Sequence, residues 1–264
     1  MSAKAPTLFA CNNVRVEVSG RTLVDALDFE VSRGELLAVL GQNGSGKTLT
    51  MHTLAGLRPV SQGQVLLDGQ NVAASNRRNT ARQLALLPQH IDDIFPATVL
   101  DTAMIGRHPH IGRFQWESAN DFDIGRAALA SVDLGDLARR DVLTLSGGER
   151  RRLAIAQVLT QQPDVYLLDE PTNHLDPQHQ LDTLRLFREK VDNGAAVIAS
   201  LHDVNLAVRY ADRCLLLYGD GRWDIGTTEN VLDEKRLSEL YATCMESVAW
   251  RSSRLFIASG DVTS

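Results

Sequence analysis

Apolar and polar residues alternate along the first part of the chain. One run places valine at 14, 16 and 18 with charged residues between, and a second run extends from Leu27 to Val31. Alternation with a period of two is typical of strands that expose one face, and such strands are usually antiparallel. The dipeptide Ser19-Gly20 between the runs predicts a turn, and a third strand of this kind is predicted at 65–67. The sequence therefore begins with a predicted antiparallel sheet.

Four later segments are apolar throughout, at 36–40, 165–168, 195–201 and 214–218. Short continuous apolar runs are typical of strands buried on both faces of a parallel sheet. Helical patterns lie between them, at 48–57 and 179–191. This alternation predicts an α/β core with right-handed crossovers, in a domain that we expect to span 8–243.

The interval between Gln89 and Ser146 has a different pattern. Two amphipathic stretches with helical spacing occur there, at 97–105 and 121–132, and no convincing strand pattern does. We therefore expect a helical subdomain, at about 90–162, inserted in the α/β core.

The C-terminal segment 244–264 is expected to form a tail, in which 248–250 and 255–258 have the pattern of a small hairpin. The short N-terminus lacks the apolar stretch of a secretory signal. The longest apolar runs have about five residues, whereas a membrane-spanning helix needs about twenty. Any role at a membrane is therefore expected to depend on a partner protein.

Composition narrows the function classes. The chain has 264 residues, 44% of them hydrophobic, and a net charge of -6 from 27 basic and 33 acidic side chains. A nucleic-acid partner is not expected, because such proteins usually carry a basic excess. The three cysteines, Cys11, Cys214 and Cys244, have neither metal-ligand nor redox spacing. That pattern fits a reducing cytosol.

A glycine-rich segment follows the first apolar strand and precedes a predicted helix. It matches the P-loop pattern through Gly41, Gln42, Asn43, Gly44, Ser45, Gly46, Lys47 and Thr48. Glycines let the backbone curl so that several N–H groups face phosphate oxygens, and the helix N-terminus adds partial positive charge. Lys47 would bind the β- and γ-phosphates of ATP, and the Thr48 hydroxyl would bind Mg²⁺.

Two carboxylates, Asp169 and Glu170, end the apolar segment at 165–168. Ligands bind at the carboxyl ends of parallel strands. We expect Asp169 to hold Mg²⁺ through a water, and Glu170 to act as the general base for the attacking water. Two carboxylates after a strand could simply form an acidic turn, but the P-loop in the same chain argues against that explanation.

A second glycine pair stands at the start of a predicted helix, in the sequence Leu145-Ser146-Gly147-Gly148-Glu149. Ser146 and Glu149 alone would be an ordinary capping box. Two glycines in the first turn are costly, however, at about 0.5–1 kcal/mol each relative to alanine. They would allow an anion to approach the N–H groups of the helix tip. The sequence therefore indicates a second phosphate-binding element.

Together these motifs resemble the ATP-binding-cassette (ABC) ATPases, from about Leu8 to His202. The resemblance implies that ATP is held between two copies of the chain. Ser146, Gly147 and Gly148 of one copy would cap the γ-phosphate on the P-loop of the other. Gln89 resembles the family's glutamine that reaches Mg²⁺ and the attacking water. Asp176 ends a loop that resembles the one crossing the dimer interface.

His202 resembles the family's switch histidine, which contacts the γ-phosphate and orients the base and the water. A single histidine at a strand end would otherwise be taken for a structural residue. One position departs from the family, because an aromatic ring usually packs on adenine near position 18, where this chain has Val18. We therefore expect weak base selectivity and some acceptance of GTP.

The resemblance is closest to the cassettes of haem importers, followed by those for iron siderophores and cobalamin. A stretch at 106–110, Gly-Arg-His-Pro-His, supports that subgroup. Only 62 residues follow His202, so a large C-terminal regulatory domain is not expected. The resemblance implies separate polytopic permease subunits, an indirect link to a solute-binding protein, and a peripheral place on the cytoplasmic face of the inner membrane.

Two features of the predicted insertion have ordinary explanations. His108 and His110 flank a proline and lack nearby cysteine or carboxylate ligands, so a surface turn is expected rather than a metal site. The run Arg150-Arg151-Arg152 is expected to be a solvated or ion-paired helix face.

Two other functions remain open on the sequence. The first is an ABC ATPase without a channel, acting in assembly or repair through a soluble partner. The second is a P-loop kinase or GTPase, which Ser146, Gln89 and His202 argue against.

Overall fold

The computed structural model describes residues 6–90, 96–251 and 253–259. The strands in chain order are β1 (Thr7–Val18), β2 (Arg21–Ser32), β3 (Leu36–Leu40), β4 (Gln62–Leu67), β5 (Gln70–Asn71), β6 (Leu84–Leu87), β7 (Val165–Asp169), β8 (Ala196–Ser200), β9 (Arg213–Leu217), β10 (Trp223–Thr227), β11 (Cys244–Trp250) and β12 (Ser253–Ser259). The helices are α1 (Lys47–Leu54), α2 (Arg77–Gln83), α3 (Val99–Met104), α4 (Ala119–Ala130), α5 (Gly147–Gln161), α6 (Pro177–Asp192), α7 (Val204–Tyr210), α8 (Thr228–Val231) and α9 (Glu234–Tyr241).

The N-terminal strands form an antiparallel sheet with the order β2-β1-β4-β5. Its first two strands meet in the turn at Ser19 and Gly20, which have φ values of 50° and 78°. Two successive residues with positive φ are typical of the tight hairpin turn that matches the twist of the flanking strands. The predicted antiparallel sheet is confirmed.

The second sheet has the order β10-β9-β3-β8-β7-β6, in which only β10 runs antiparallel to its neighbour. Strand β3 lies at its centre and is buried on both faces. Leu36, Ala38 and Leu40 point into one core, and Leu37 and Val39 point into the other. The first core is covered by helices, and the second lies between this sheet and the antiparallel one. The predicted α/β fold with a mainly parallel sheet is confirmed.

The predicted helical insertion contains α3, α4 and α5. Each of these helices starts with a reciprocal capping box, and the N-cap residues are Thr98, Ser118 and Ser146. Their apolar faces, including Val99 and Leu129, belong to the same core as one face of the parallel sheet. The predicted insertion also includes 91–95, which lie outside the described residues.

Within the insertion, the stretch at 106–110 is only partly the expected surface turn. His108 is exposed, but Arg107 is buried and its Nε donates to Asp121 Oδ1 at 2.8 Å. His110 Nε2 lies 2.8 Å from the carbonyl oxygen of Gln161. This stretch therefore joins α3 to the first turn of α4 and to the last turn of α5.

One predicted helix end was wrong, and one strand was missed. The helix expected at 48–57 ends at Leu54, because Gly56 takes a positive φ of 70° and turns the chain past Val72. Strand β6 was not predicted, because its four residues are too short to show a period. It forms the edge of the parallel sheet beside β7.

The C-terminal strands β11 and β12 pair as an antiparallel hairpin. Met245 and Phe256 are buried on its inner face. The side chain of Asn205 in α7 binds the backbone of Phe256 in both directions, at 3.1 and 2.8 Å. The end of the predicted tail, 260–264, lies outside the described residues.

Among the described residues, no helix combines the length and the apolar character needed to cross a bilayer.

Candidate functional site

The P-loop lies between the end of β3 and the start of α1. Gly41 permits close packing there, since a Cβ atom would lie 2.5 Å from the carbonyl oxygen of Leu217. Gly46 has a φ of 100°, which other residues rarely adopt, and it precedes the first helical residue, Lys47. The glycines therefore allow the loop to curl tightly at the helix N-terminus, where backbone N–H groups bind phosphate.

Lys47 is 4% exposed and lies at the mouth of this loop. Its Nζ donates to the carbonyl oxygens of Gly41 at 2.8 Å and Gln42 at 3.1 Å. Burial lowers the pKa of Lys47, and the carboxylates of Glu170 and Asp169 oppose that shift. Lys47 therefore places a cation at the loop, where it can bind a phosphate.

A cavity of about 580 Å³ opens in front of the loop. Its volume suits a nucleotide-sized ligand. The described residues that line it are Val18, Arg21, Leu23, Asn43, Gly44, Gly46, Lys47, Thr48, Leu49, Gln89, Glu170, Asn173 and His202. The structure thus brings five predicted chemical side chains from four parts of the chain to one cavity: Lys47, Thr48, Gln89, Glu170 and His202.

A chain of hydrogen bonds connects three of these side chains, Thr48, Gln89 and Glu170. Thr48 Oγ1 donates to Gln89 Oε1 at 3.2 Å, and Gln89 Nε2 donates to Glu170 Oε2 at 2.6 Å. Gln89 reaches this position because it lies two residues beyond Leu87, at the end of β6. The unpredicted edge strand therefore places a predicted functional residue.

Asp169 is fully buried at the end of β7. Its Oδ1 accepts a hydrogen bond from Ser200 Oγ at 2.7 Å, whereas Oδ2 has no partner among the described residues. An unpaired buried carboxylate oxygen is costly unless a cation or a water binds it. Oxygen ligands suit Mg²⁺, and Asp169, Thr48 and Gln89 each offer such an atom, although only Thr48 and Gln89 are among the described residues that line the cavity.

Glu170 is surrounded by three donors. One carboxylate oxygen accepts hydrogen bonds from the side-chain amides of Gln89 and Asn173, and the other lies 2.5 Å from His202 Nε2. Its backbone has a φ of 52°, in the left-handed region. Strained backbone of this kind costs about 1–3 kcal/mol and is common at functional sites. The turn therefore aims the carboxylate into the cavity at a cost in stability.

The helix tip at Ser146 is placed differently. Ser146 caps α5 reciprocally with Glu149, and Ser146 and Gly147 are exposed. A Cβ atom on Gly147 would meet nothing within 4 Å. Ser146, Gly147, Gly148 and Asp176 are absent from the described lining of the Lys47 cavity.

Asp176 is the N-cap of α6. It accepts a hydrogen bond from the backbone N–H of His179 at 2.9 Å and lies 2.8 Å from the ring Nδ1 of the same residue. These bonds to His179 lower the pKa of Asp176. Asp176 is exposed. Two residues before it, the carbonyl oxygen of His174 would lie 3.4 Å from a Cβ atom on Gly148, so this loop lies beside the helix tip at Ser146.

The prediction for the arginine run was wrong at Arg151. This side chain is 2% exposed. Its guanidinium group donates to carbonyl oxygens at the ends of β6 and β7. Helical periodicity explains the error, because position 151 lies on the inner face of α5, whereas Arg150 and Arg152 beside it are half-buried.

Sequence reasoning also missed Arg21. The side chain lines the cavity beside Val18, which is 37% exposed, and donates to the carbonyl oxygen of Gly219 at 2.8 Å. No motif marks this arginine. Only the pairing of β1 with β2 places it near the loop.

Comparisons with known proteins show the family. A family model described as ABC transporter matches residues 24–173. The hemin import ATP-binding protein HmuV of Pseudomonas fluorescens strain Pf-5 is 42% identical over 87% of this chain and 90% of its own length. The petrobactin import ATP-binding protein FpuD of Bacillus anthracis is 36% identical over 83% of this chain and 81% of its own length.

A solved structure of a transporter described as being of the metal-chelate ABC type, in an inward-facing conformation, has a TM-score of 0.83 at 27% identity. The match covers 96% of this chain and 98% of that one. The dimeric ATP-binding cassette MJ0796, bound to ADP and phosphate, shares the fold with a TM-score of 0.72 at 22% identity, over 82% of this chain and 98% of that one. The chain therefore belongs to the ABC transporter family and is an ATP-binding subunit of the kind that hydrolyses ATP to power transport.

Proposed function

We propose that this chain energises an ABC importer that takes up haem or a related iron-siderophore or corrinoid compound. The observation that carries the proposal is the single cavity shared by Lys47, Thr48, Gln89, Glu170 and His202. Such a cavity combines a phosphate cradle with a candidate base. The relatives named for hemin and petrobactin import support the solute class.

Lys47 and the backbone of the P-loop would bind the β- and γ-phosphates of ATP. Thr48, Gln89 and Asp169 would hold Mg²⁺, which neutralises charge that develops on the phosphates. The unpaired Oδ2 of Asp169 and the bonded pair of Thr48 and Gln89 supply oxygen atoms for this role.

Glu170 would act as the general base, taking a proton from the water that attacks the γ-phosphate. The amides of Gln89 and Asn173 hold one of its oxygens, so the other faces His202. His202, half-exposed at the cavity, would contact the γ-phosphate and orient the base and the water. Gln89 contacts both Thr48 and Glu170 and so links the metal side of the site to the base.

A second copy of the chain would complete each site. Ser146, Gly147 and Gly148 form an exposed helix tip with open space in front of Gly147. Exposed N–H groups at such a tip favour an anion, yet the tip does not line the cavity of its own chain. We infer that it caps the γ-phosphate on the partner's P-loop, with Asp176 contributing at the interface.

The remaining partners follow from the same proposal. Separate polytopic permease subunits would hold the chain peripherally at the cytoplasmic face of the cell membrane, and a solute-binding protein would deliver the cargo to them. No nucleic-acid partner is proposed, in keeping with the net charge of -6.

Co-purification and transport assays test this function. The tagged chain is expected to retain a polytopic membrane protein in detergent extract. The reconstituted complex is expected to hydrolyse ATP faster with one of haem, a ferric siderophore or cobalamin and its binding protein. Lys47→Ala serves as the inactive control. Capture of soluble partners alone would favour the assembly or repair ATPase instead.

A further inference from the structure

One buried cation beneath the cavity has no part in the mechanism above. Arg151 lies on α5, and all its hydrogen bonds within the described part of the chain go to backbone carbonyl oxygens. Nη2 donates to Asp169 and Glu170, both at 2.7 Å, and Nη1 donates to Pro88 at 2.6 Å. Longer contacts join Nη1 to Gln89 and Nε to Pro171, both at 3.4 Å.

These carbonyl groups belong to two neighbouring strand ends. Pro88 and Gln89 follow β6, Asp169 ends β7, and Glu170 follows β7. On the cavity side, the side chains of Gln89 and Glu170 are only 2.6 Å apart. One guanidinium group therefore ties together the backbones that carry the candidate water-orienting residue and the candidate base.

The same group also stabilises a strained turn. Glu170 has a φ of 52°, and its N–H donates to Ser200 Oγ at 2.8 Å. Its carbonyl oxygen is held by Arg151 on the other side. Strained backbone persists only where the surroundings over-determine it, and the planar fork of arginine suits several carbonyl groups at once.

Arg151 is also connected to the second phosphate element. It lies five residues after Ser146 on the same helix. A helix transmits displacement along its axis because its backbone hydrogen bonds make it stiff. A phosphate that presses on the tip at Ser146 would therefore shift the guanidinium group and the turn that it holds.

We propose that Arg151 is a positioning residue that sets the spacing of Gln89 and Glu170 and links it to the helix tip at Ser146. The proposal rests on the proposed two-copy ATPase. Arg151 is absent from the described lining of the cavity, and its side chain contacts the backbone of the strand ends, so it would act through Gln89 and Glu170.

A matched control is available one position earlier. Arg150 lies on the same helix, and its Nη2 donates to the carbonyl oxygen of Leu143 at 3.2 Å, remote from the strand ends. Arg150→Gln and Arg151→Gln remove the same charge by the same substitution. Arg151→Lys retains the charge and the donors but loses the planar fork.

Steady-state ATPase activity of the full chain is measured for each variant, together with thermal unfolding. For Arg151→Gln we expect KM to change by no more than about threefold and kcat to fall by about 30-fold or more, because an orienting interaction is lost while the phosphate contacts remain. Arg151→Lys should recover part of kcat, and Arg150→Gln should stay within about twofold of the unmutated chain.

A wild-type kcat in Arg151→Gln would overturn the proposal. The proposal would also be overturned if the loss of kcat in Arg151→Gln were no larger than the fraction of that variant that is unfolded. If Arg151→Gln does not fold, a wild-type kcat in Arg151→Lys would overturn the proposal and a reduced one would support it.

A double-mutant cycle tests the link to the helix tip. Ser146→Ala is expected to reduce kcat in the unmutated chain and to cost much less when Arg151→Gln is present, because both changes break one connected path. Additive effects would overturn the link. Failure of the proposed two-copy ATPase is recognised separately, since the unmutated chain would then be fully active as a monomer and Ser146→Ala would leave its kcat unchanged.

Discussion

Replacing Glu170 with glutamine isolates the candidate base with little change of shape. Gln89 and Asn173 donate to one oxygen of the side chain, and His202 faces the other. Glutamine can keep its oxygen toward the two amides and turn its NH₂ group toward a neutral His202 ring. The fold and the phosphate contacts of Lys47 should therefore persist.

The expected loss is confined to turnover. Removing a general base costs about 10²–10⁴ in rate, which corresponds to about 2.7–5.4 kcal/mol of activation free energy at 1.36 kcal/mol per factor of ten. Binding of ATP should change by less than about threefold, because Glu170 makes no phosphate contact in this account.

Phosphate release at saturating ATP measures the turnover, and a fluorescent ATP analogue measures binding. Glu246→Gln, which removes a similar carboxylate from the exposed surface of β11, should leave both unchanged. ATPase activity near the unmutated rate in Glu170→Gln, with intact binding, would refute the assignment of the base.

Three further outcomes are expected. Lys47→Met should abolish detectable ATP binding, read by equilibrium dialysis, because it removes the cation that the P-loop supplies for the β- and γ-phosphates. Val18→Tyr should raise the preference for ATP over GTP in competition binding by about fivefold, since a ring can stack on adenine. Asp121→Asn should lower the free energy of unfolding in urea. Hydrogen bonds from Ser118, with a smaller effect of Arg107, lower the pKa of Asp121 to about 2. Its contribution is therefore present above the unfolded-state value near pH 4 and is lost toward pH 2, so the difference between variant and unmutated chain should shrink over that range.

The sequence predicted the elements whose patterns are local. The P-loop, the strand before Asp169 and the alternating N-terminal strands each have a period or a motif that short-range physics explains. Strand β6 escaped because four residues show no period, although it places Gln89 beside Glu170. Whether these side chains lie close together depends on the order of the strands in the sheet, which the hydrophobic pattern of the sequence did not specify.

Arg151 shows a different limit. A run of three arginines favours a solvated face when only charge is considered. The structure buries the middle one because two strand ends leave carbonyl groups that a guanidinium can satisfy. That need arises from the tertiary arrangement, so no local pattern reveals it. Arg21 was missed for the same reason.

A mixed dimer tests most directly whether each site is built from two chains. Differently tagged copies carrying Lys47→Ala and Ser146→Arg are co-expressed, and dimers that contain one of each are isolated. If the tip at Ser146 completes the partner's P-loop, one site carries both substitutions and the other is intact. The mixed dimer should then regain ATPase activity that neither parent homodimer has, up to about half of the unmutated rate. No regained activity in the mixed dimer, together with full activity of the unmutated chain as a monomer, would contradict the account.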